Sequence, residues 1–251
     1  MTDTIERFSN RVENYIKYRP GYPAGVLRLF REEMGLVPGS VVADIGSGPG
    51  VSTRMFLENG NTVYAVEPND AMRAAAEHLL GHDPNFKSVK GTAEATALPD
   101  ASADIVTAAQ AFHWFDRERA RREFQRILKP GGWVALIWNL RLVDGTPFLG
   151  EYERFLLDHA TDYAAVRHDN ITEDEIREFF GSEYGHAVFD NVQVFDFAGL
   201  RGRMFSASYM PAERTPAGER AEKELRLLFD SHQRDGRIEV RYNTNIYYSK
   251  F

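Results

Sequence analysis

The chain contains no cysteine among its 251 residues. Disulfides, thiolate metal sites and cysteine nucleophiles are excluded with it. Long apolar runs are also missing, and nothing approaches the ~20 residues that cross a bilayer. Basic charge is in deficit: 30 Lys and Arg stand against 37 Asp and Glu, for a net charge of −7. Such a molecule is not steered as a whole to phosphate backbones, so no nucleic-acid partner is expected. The opening MTDTIERFSN is polar and acidic, unlike a secretory or transit peptide. A cytoplasmic protein without membrane association is the expectation. His78 and His82 lie four apart with no obvious further ligand nearby, so no metal site is expected. What remains, 43% hydrophobic and 27% charged residues, is the balance of a soluble globular chain rather than a disordered one.

Between about Ser40 and Asn139, short apolar runs alternate with longer amphipathic stretches. Strands are expected at Ser40–Gly46, Asn61–Pro68, Phe86–Lys90, Ala103–Ala109 and Trp133–Trp138. Helices are expected at Val51–Asn59, Asp70–Leu80 (capped by Asn69 or Asp70) and Arg117–Leu128. The last of these has Asp116 as its cap and Pro130-Gly131-Gly132 as its stop. Strands buried on both faces and separated by helices mean a parallel sheet covered on either side, an α/β fold. Residues 1–38 read as two helices, Thr4–Lys17 and Pro23–Met34, joined at Arg19–Pro23. Residues 140–216 read as helices at Pro147–Ala160 and Thr172–Phe180, a strand near Val188–Phe197, then a short helix or loop. A helix at Gly218–Phe229 and a strand at Arg237–Tyr248 complete the chain. With no repeat and no long polar linker, one domain with an inserted helical cap is the simplest account: 1–38 as N-terminal helices, 39–139 as core, 140–216 as cap, 217–251 as final helix and strand.

Asp44-Ile45-Gly46-Ser47-Gly48-Pro49-Gly50 follows a strand and precedes a helix, the setting of a nucleotide-binding loop. Glycines let the backbone approach a ligand closely, and the helix start offers unpaired N–H groups. The same pattern also makes a tight strand-to-helix turn with no ligand. A dinucleotide fingerprint starting at Gly46 wants glycine where Val51 stands, and fails there. Asp44 places negative charge beside the loop, which repels a pyrophosphate and favours a cation. Glu67, at the end of the second strand, is suited to accept hydrogen bonds from two ribose hydroxyls. The pair asks for a ligand with a ribose and a positive charge but no phosphate. S-adenosylmethionine meets that description.

On these residues the chain resembles the class I S-adenosylmethionine-dependent methyltransferases. It is most similar to the trans-aconitate methyltransferase-like enzymes and the ubiquinone- and biotin-pathway methyltransferases. The resemblance spans about Phe8 to Phe251, with its motifs between Tyr15 and Trp138. It implies that VVADIGSGPG holds the methionine half of the cofactor through Gly46, Ser47, Gly48 and Gly50. In VYAVEPNDAM it implies Glu67 on the ribose, with Pro68, Asn69 and Met72 near the adenine. In GTAEATALP it sets Ala93 and Glu94 beside the adenine amino group. In DIVTAAQAFHWFD it sets Gln110, Phe112, His113 and Trp114 around the methyl group. It also implies a Rossmann-like seven-stranded sheet in the order 3-2-1-4-5-7-6, strand 7 antiparallel, with S-adenosylhomocysteine as product.

Methyl transfer from a sulfonium needs alignment and desolvation more than acid–base help. His113 is the candidate base, or else a structural imidazole that shapes the pocket. Phe112 and Trp114 are pocket or core residues, and an aromatic face suits a sulfonium by cation–π attraction. In similar enzymes the N-terminal segment closes over the cofactor. Tyr15, Tyr18 and Arg19 are the candidates there, Arg19 for the cofactor carboxylate, the tyrosines otherwise packing on the core. The arginines of 117–129 read as a solvated helix face. Tyr152, Phe155, Phe179, Phe180, Phe205 and Tyr209 suit an acceptor pocket and a helical core equally. The expected partner is a small-molecule methyl acceptor, taking the methyl on oxygen first, with nitrogen or carbon open. The expected state is a monomer or homodimer. A nicotinamide-dependent oxidoreductase and a non-catalytic cofactor-binding regulator are the competing readings.

Overall fold

The computed structural model describes residues 16–161, 163, 172–181 and 183–251. Seven strands form one sheet: β1 (Val41–Ile45), β2 (Thr62–Val66), β3 (Phe86–Val89), β4 (Ala103–Ala109), β5 (Leu128–Arg141), β6 (Gly185–Phe195) and β7 (Ile238–Lys250). Their order is β3-β2-β1-β4-β5-β7-β6. β1 to β5 are parallel, and β7 runs antiparallel between β5 and β6. This is the order that the resemblance implies.

Eight α-helices are described: α1 (Ala24–Met34), α2 (Val51–Glu58), α3 (Asp70–Leu80), α4 (Arg117–Ile127), α5 (Pro147–His159), α6 (Glu173–Phe180), α7 (Phe197–Phe205) and α8 (Pro216–His232). Side-chain caps fix most of their starts. Asn69 accepts from Ala71 and Met72, Asp116 from Arg119, Thr146 from Leu149 and Asp196 from Gly199. Thr172 and Glu175 cap each other reciprocally at α6. Each cap satisfies amides that the first helical turn leaves without partners.

Successive residues of β1 point to opposite faces. Ala43 and Ile45 join a cluster built with Phe112, Phe124, Phe179 and Phe180 under α4 and α6. Val42 joins a second with Phe30, Phe56 and Leu80 under α1 to α3. A third cluster packs α5, α7 and α8 against the far ends of β6 and β7, where Phe195, Ile238, Val240 and Tyr242 meet Tyr152, Leu200 and Phe229.

Several boundaries differ from expectation, and pairing explains them. Pro130-Gly131-Gly132 does not separate a helix from a strand. Leu128 already takes extended backbone and pairs with Ala103. The glycines sit where the β4–β5 register shifts between Ala103 and Ile105, so they form a bulge within β5. β5 runs on past Trp138 to Arg141 because β7 pairs with it as far as Arg141–Tyr242. β6 starts earlier than expected, at Gly185, because β7 pairs along its whole length. It ends at Phe195, where Asp196 caps α7. α8 extends to His232, beyond the expected Phe229. The expected helix Thr4–Lys17 lies mostly outside the described residues, and only 16–18 are seen as helical. No helix among the described residues is long and apolar enough to cross a membrane. No cluster of three metal-ligating side chains occurs among them.

Candidate functional site

A cleft opens at the carboxyl ends of β1, β2 and β4, where open α/β sheets place ligands. Its walls come from the β1–α2 loop, from Glu67 to Asn69 with Met72, from Thr92 to Glu94, and from Ala109 to Ala111 with Trp114 and Phe115. Tyr22 closes one side.

The β1–α2 loop is bent by glycine at points where other residues do not fit. Gly46 has φ +68°, and a Cβ there would lie 2.6 Å from the Ala111 Cβ. Gly50 caps α2 at φ +88°, where a Cβ would meet Leu80 Cδ1 at 2.4 Å. The Gly46 and Ser47 amides donate to the Val66 carbonyl at 2.8 and 3.2 Å, which ties the loop to the end of β2.

Glu67 binds the two loops together. Its Oε2 accepts from the Gly48 amide and its Oε1 from the Asn69 amide, both at 2.8 Å. The residue is 8% exposed and lines the cleft. Burial pushes its pKa above the usual carboxylate range, against the two amide bonds that lower it.

Asp44 does not line the cleft. It is fully buried behind the loop, where Oδ2 accepts from Ser52 Oγ and Thr53 Oγ1 at 2.7 Å each. It therefore fixes the first turn of α2. Its Oδ1 has no partner among the described residues. Burial raises its pKa to about 6, against the two hydroxyl bonds.

Gln110 lies at the end of β4 with φ +58°, an unusual backbone for a residue with a Cβ. Two bonds to β5 hold it there: its amide donates to Ile137 O at 2.9 Å and its Nε2 to Asn139 O at 3.2 Å. Its buried Oε1 has no partner among the described residues, and neither does the buried Ser47 Oγ. Both residues line the cleft. Glu94 also lines it, while its Oε1 accepts from the Asp116 amide at 2.9 Å.

The expected pocket trio divides. Trp114 is on the cleft wall and 38% exposed. Phe112, expected on that wall, is fully buried instead, edge-on to Phe115, Trp138 and Phe179. A short 3₁₀ turn over Phe112–Trp114 turns the first ring into the core and leaves the third on the surface. His113 is not among the cleft-lining residues and packs against Trp114 at 4.6 Å. Desolvation lowers its pKa to about 4, so it is neutral at physiological pH.

Of the N-terminal candidates, Tyr15 lies outside the described residues. Tyr18 packs on α7: a Cβ on Gly202 would come within 2.0 Å of its ring. Arg19 Nη2 donates to Ser206 O at 3.1 Å. Arg19 lines a second hollow that shares Tyr22, Pro49 and Val51 with the cleft, without lining the cleft itself. Phe179 and Phe180 are core residues beside Phe112, while Tyr152, Phe155 and Phe205 belong to the third cluster with Tyr209 at its edge. On α4, Arg122 pairs with Glu118 and Arg126 with Glu123 and Asp100, and Lys129, just past its end in β5, pairs with Asp104, as a solvated face would.

Tyr22, Thr92, Ala109 and Ala111 line the cleft without a signal of their own in the sequence, and Phe115, from the aromatic run that begins at Phe112, joins them. Ala111 carries a signal only with coordinates, because its methyl is what forbids a side chain at Gly46.

Residues 43–136 match the family described as a methyltransferase domain. An uncharacterized methyltransferase of Mycobacterium bovis is 38% identical over 136 residues, covering 53% of this chain and 52% of that protein. An uncharacterized methyltransferase-like protein of Schizosaccharomyces pombe is 33% identical over 153 residues, covering 61% and 58%. The chain thus spans little more than half the length of these curated relatives. Among solved structures, one assigned as a Type II methyltransferase from Anaeromyxobacter dehalogenans superposes with a TM-score of 0.69. It is 22% identical and covers 93% of this chain and 98% of its own.

Proposed function

From the match of residues 43–136 to a methyltransferase domain and the sheet order β3-β2-β1-β4-β5-β7-β6 around it, we propose that the protein moves a methyl group from S-adenosylmethionine to a small molecule, releasing S-adenosylhomocysteine. One observation carries the reading. The cleft holds a buried carboxylate, Glu67, together with two buried polar oxygens, Ser47 Oγ and Gln110 Oε1, that have no partner in the described chain. Buried polar atoms are normally paired, and two unpaired oxygens on one cleft wall are open to a partner from outside the chain. Acceptor oxygens beside a carboxylate suit a ligand rich in N–H and O–H donors and carrying positive charge. These acceptor oxygens and the glycine-bent loop therefore fit this cofactor.

In this reading Glu67 takes the ribose hydroxyls while its amide bonds hold it in orientation. Gln110 and Ser47 take the ammonium end, with the amides of Gly46, Gly48 and Gly50 around it. Pro68, Met72, Ala93 and Glu94 border the adenine. Asp44 acts from behind the loop, through α2 and its own charge. When bound, S-adenosylmethionine supplies a methyl group on a sulfonium, ready for in-line displacement. Trp114 offers an aromatic face beside that position and excludes water. His113 serves as a structural imidazole rather than a base, because a group that protonates near pH 4 is a weak base at pH 7. An acceptor oxygen that is already ionised, such as a carboxylate, needs no base, which favours O-methylation. The segment 1–38 acts as a lid and residues 140–216 as the acceptor-binding cap. Arg19 is poised to exchange the Ser206 carbonyl for the cofactor carboxylate.

Calorimetric titration with S-adenosylmethionine and with NADH tests the premise. Micromolar binding of the first and none of the second is expected. The reverse pattern points to a dehydrogenase and ends the methyltransferase reading. Replacing His113 with Asn is expected to leave the pH–rate profile flat between pH 6 and 8 and to change turnover no more than cofactor affinity. A loss of turnover confined to the chemical step would make His113 a base after all.

A further inference from the structure

We propose that the outer edge of β6 pairs antiparallel with the same strand of a second copy of this chain, joining two sheets into one across a two-fold axis at Asn191. The proposal goes beyond the methyltransferase reading and does not depend on it.

β6 is the last strand of the sheet, so only one of its edges is taken, by β7. Among the described residues, no backbone group outside β7 bonds to it. An open ladder of this kind is a template for another strand, and folded proteins usually blunt it. They shorten the strand, bulge it, or set lysine or proline along it. β6 carries none of these devices. It runs for 11 residues, GHAVFDNVQVF, without lysine, arginine or proline, where a strand is ordinarily about 5–6 residues long. Its register with β7 is unbroken from Gly185–Tyr248 to Phe195–Ile238.

The two faces of β6 differ. On one, Phe189 packs with the cluster under α1, Asn191 donates to the Gly21 carbonyl at 2.8 Å, and Gln193 donates to the Tyr18 carbonyl at 3.1 Å. The segment leading into α1 therefore covers that face. The other face holds Val188, Val192 and Val194, which are 49%, 52% and 49% exposed. They are three of the seven large apolar side chains exposed among the described residues, and they share one strand. Single exposed apolar residues need no explanation, but a row of them along an open edge marks a contact surface.

Charge selects the register in which a second copy fits. With the strands overlapped end to end, Asp190 faces Asp190 of the partner, and like charges directly opposite repel. A slide that keeps each side chain on its own face removes the clash. Ala187–Phe195 then pairs with the same residues of the partner. Val188 faces the partner's Val194, and Asp190 faces the partner's Val192. Sliding the other way leaves Val194 outside the ladder. In the favoured register the strand beyond the partner's Val192 presents Arg241. Two strand spacings, roughly 10 Å, separate it from Asp190, a gap that an arginine and an aspartate side chain span together. Arg241 bonds Glu239 through Nε and Nη2, so Nη1 is the atom that reaches across. The pairing is self-complementary, as a two-fold interface requires. Its length, about 30 Å at ~3.4 Å per residue, gives an interface at the small end of specific ones, and a dimer forming at tens of micromolar is expected.

Analytical ultracentrifugation of the full chain from about 1 to about 200 µM is the first test, and the mass is expected to rise from one chain to two across that range. Val192→Asp sets a second carboxylate against the partner's Asp190 and is expected to weaken the dimer roughly 10-fold, whereas Val192→Lys sets a cation there and is expected to tighten it roughly 3-fold. The lack of native cysteine makes introduced thiols specific. Val188→Cys and Val194→Cys chains, mixed in equal amounts, are expected to cross-link on mild oxidation, because opposite residues place their Cα atoms about 4.5–5.5 Å apart, within disulfide reach. Either variant alone is expected to stay uncross-linked, its two thiols lying roughly 20 Å apart along the ladder. The proposal is overturned if the wild type stays monomeric throughout, if the aspartate and lysine variants shift the dimer in the same direction, or if the mixed cysteine chains cross-link no faster than each alone. Should Val192→Asp fail to fold, the lysine variant and the cysteine chains decide. The cleft lies across the sheet at β1, β2 and β4, so S-adenosylmethionine affinity is expected within about twofold of wild type in every variant. Its absence in the wild type would strike the methyltransferase reading alone.

Discussion

The half of the sheet around β1 to β4 buries carboxylates, whereas the half around β5 to β7 buries arginines. In the first, Asp44 and Glu67 are held by hydroxyls and backbone amides, with no cation seated on either among the described residues. In the second, Arg141 is neutralised by Glu153, and the buried Arg203 donates to the Tyr242 hydroxyl. The two halves also differ in how their residues come together. The acidic half is assembled from short stretches, a strand end and the loop after it. The basic half joins α5, α7 and β7 across some hundred residues of chain. The comparison teaches that one sheet keeps its buried acids and its buried arginines on opposite halves.

The contrast can be broken most severely at Glu67. Glu67→Ala removes the ribose acceptor and both amide bonds between the loops, and is expected to weaken S-adenosylmethionine binding by roughly 1,000-fold, about 4 kcal/mol. Calorimetry on the folded variant reads this, and affinity within tenfold of wild type would remove Glu67 from the site. Gly46→Ala attacks the same half through backbone geometry. A left-handed φ and a 2.6 Å approach to Ala111 are expected to cost about 3 kcal/mol in denaturant unfolding. An unchanged midpoint would mean the loop relaxes freely.

Asp44 gives a stability effect of opposite sign. Burial holds its folded pKa at about 6, above the ordinary value of 3.8. The native state therefore binds the proton more tightly, and stability from this group is full below pH 4 and lost as pH rises through 6. The loss is about 3 kcal/mol on the scale of 1.36 kcal/mol per pKa unit. Asp44→Asn is expected to recover about 2 kcal/mol of that at pH 7.5, because the Ser52 and Thr53 bonds keep an oxygen acceptor while the charge is gone. The same variant should bind S-adenosylmethionine less well. A variant less stable than wild type at pH 7.5 would show that the charge is matched within the native chain. The smallest effect belongs to α4, where Arg122→Ala removes an exposed pair with Glu118. It is expected to shift stability by less than about 0.5 kcal/mol, as exposed pairs do. A larger shift by denaturant unfolding would mean the helix face is not merely solvated.

The acidic half was largely legible because its signals are local. A strand end, a glycine turn and a cap occupy consecutive residues, so Gly46, Glu67 and Asn69 announce themselves within short windows. Legibility failed where side-chain direction decides. Phe112 and Trp114 are two residues apart in one motif, yet a 3₁₀ turn sends one to the core and leaves the other on the cleft. Asp44 was read as facing the ligand, and only the approach of Ser52 and Thr53 reveals that it faces α2. The bulge in β5 hid behind Pro130-Gly131-Gly132, which locally reads as a stop and is overridden by pairing with β4. The basic half was illegible for a further reason. Arg203 carries no pattern in its own neighbourhood, and its bond to Tyr242 joins elements some forty residues apart in the chain.

The insertion of β7 between β5 and β6 also sets a schedule. During synthesis β5 emerges roughly a hundred residues before the strand that pairs with its outer edge. At about 5–20 residues per second the wait is on the order of 5 to 20 seconds. Through that interval the β3-β2-β1-β4-β5 block has its partners, but the apolar segment Trp133–Trp138 presents an open ladder to the cell. The chain's hazard is thus greatest on the ribosome rather than in the finished fold, and slowing translation between Arg141 and Ile238 should lengthen it.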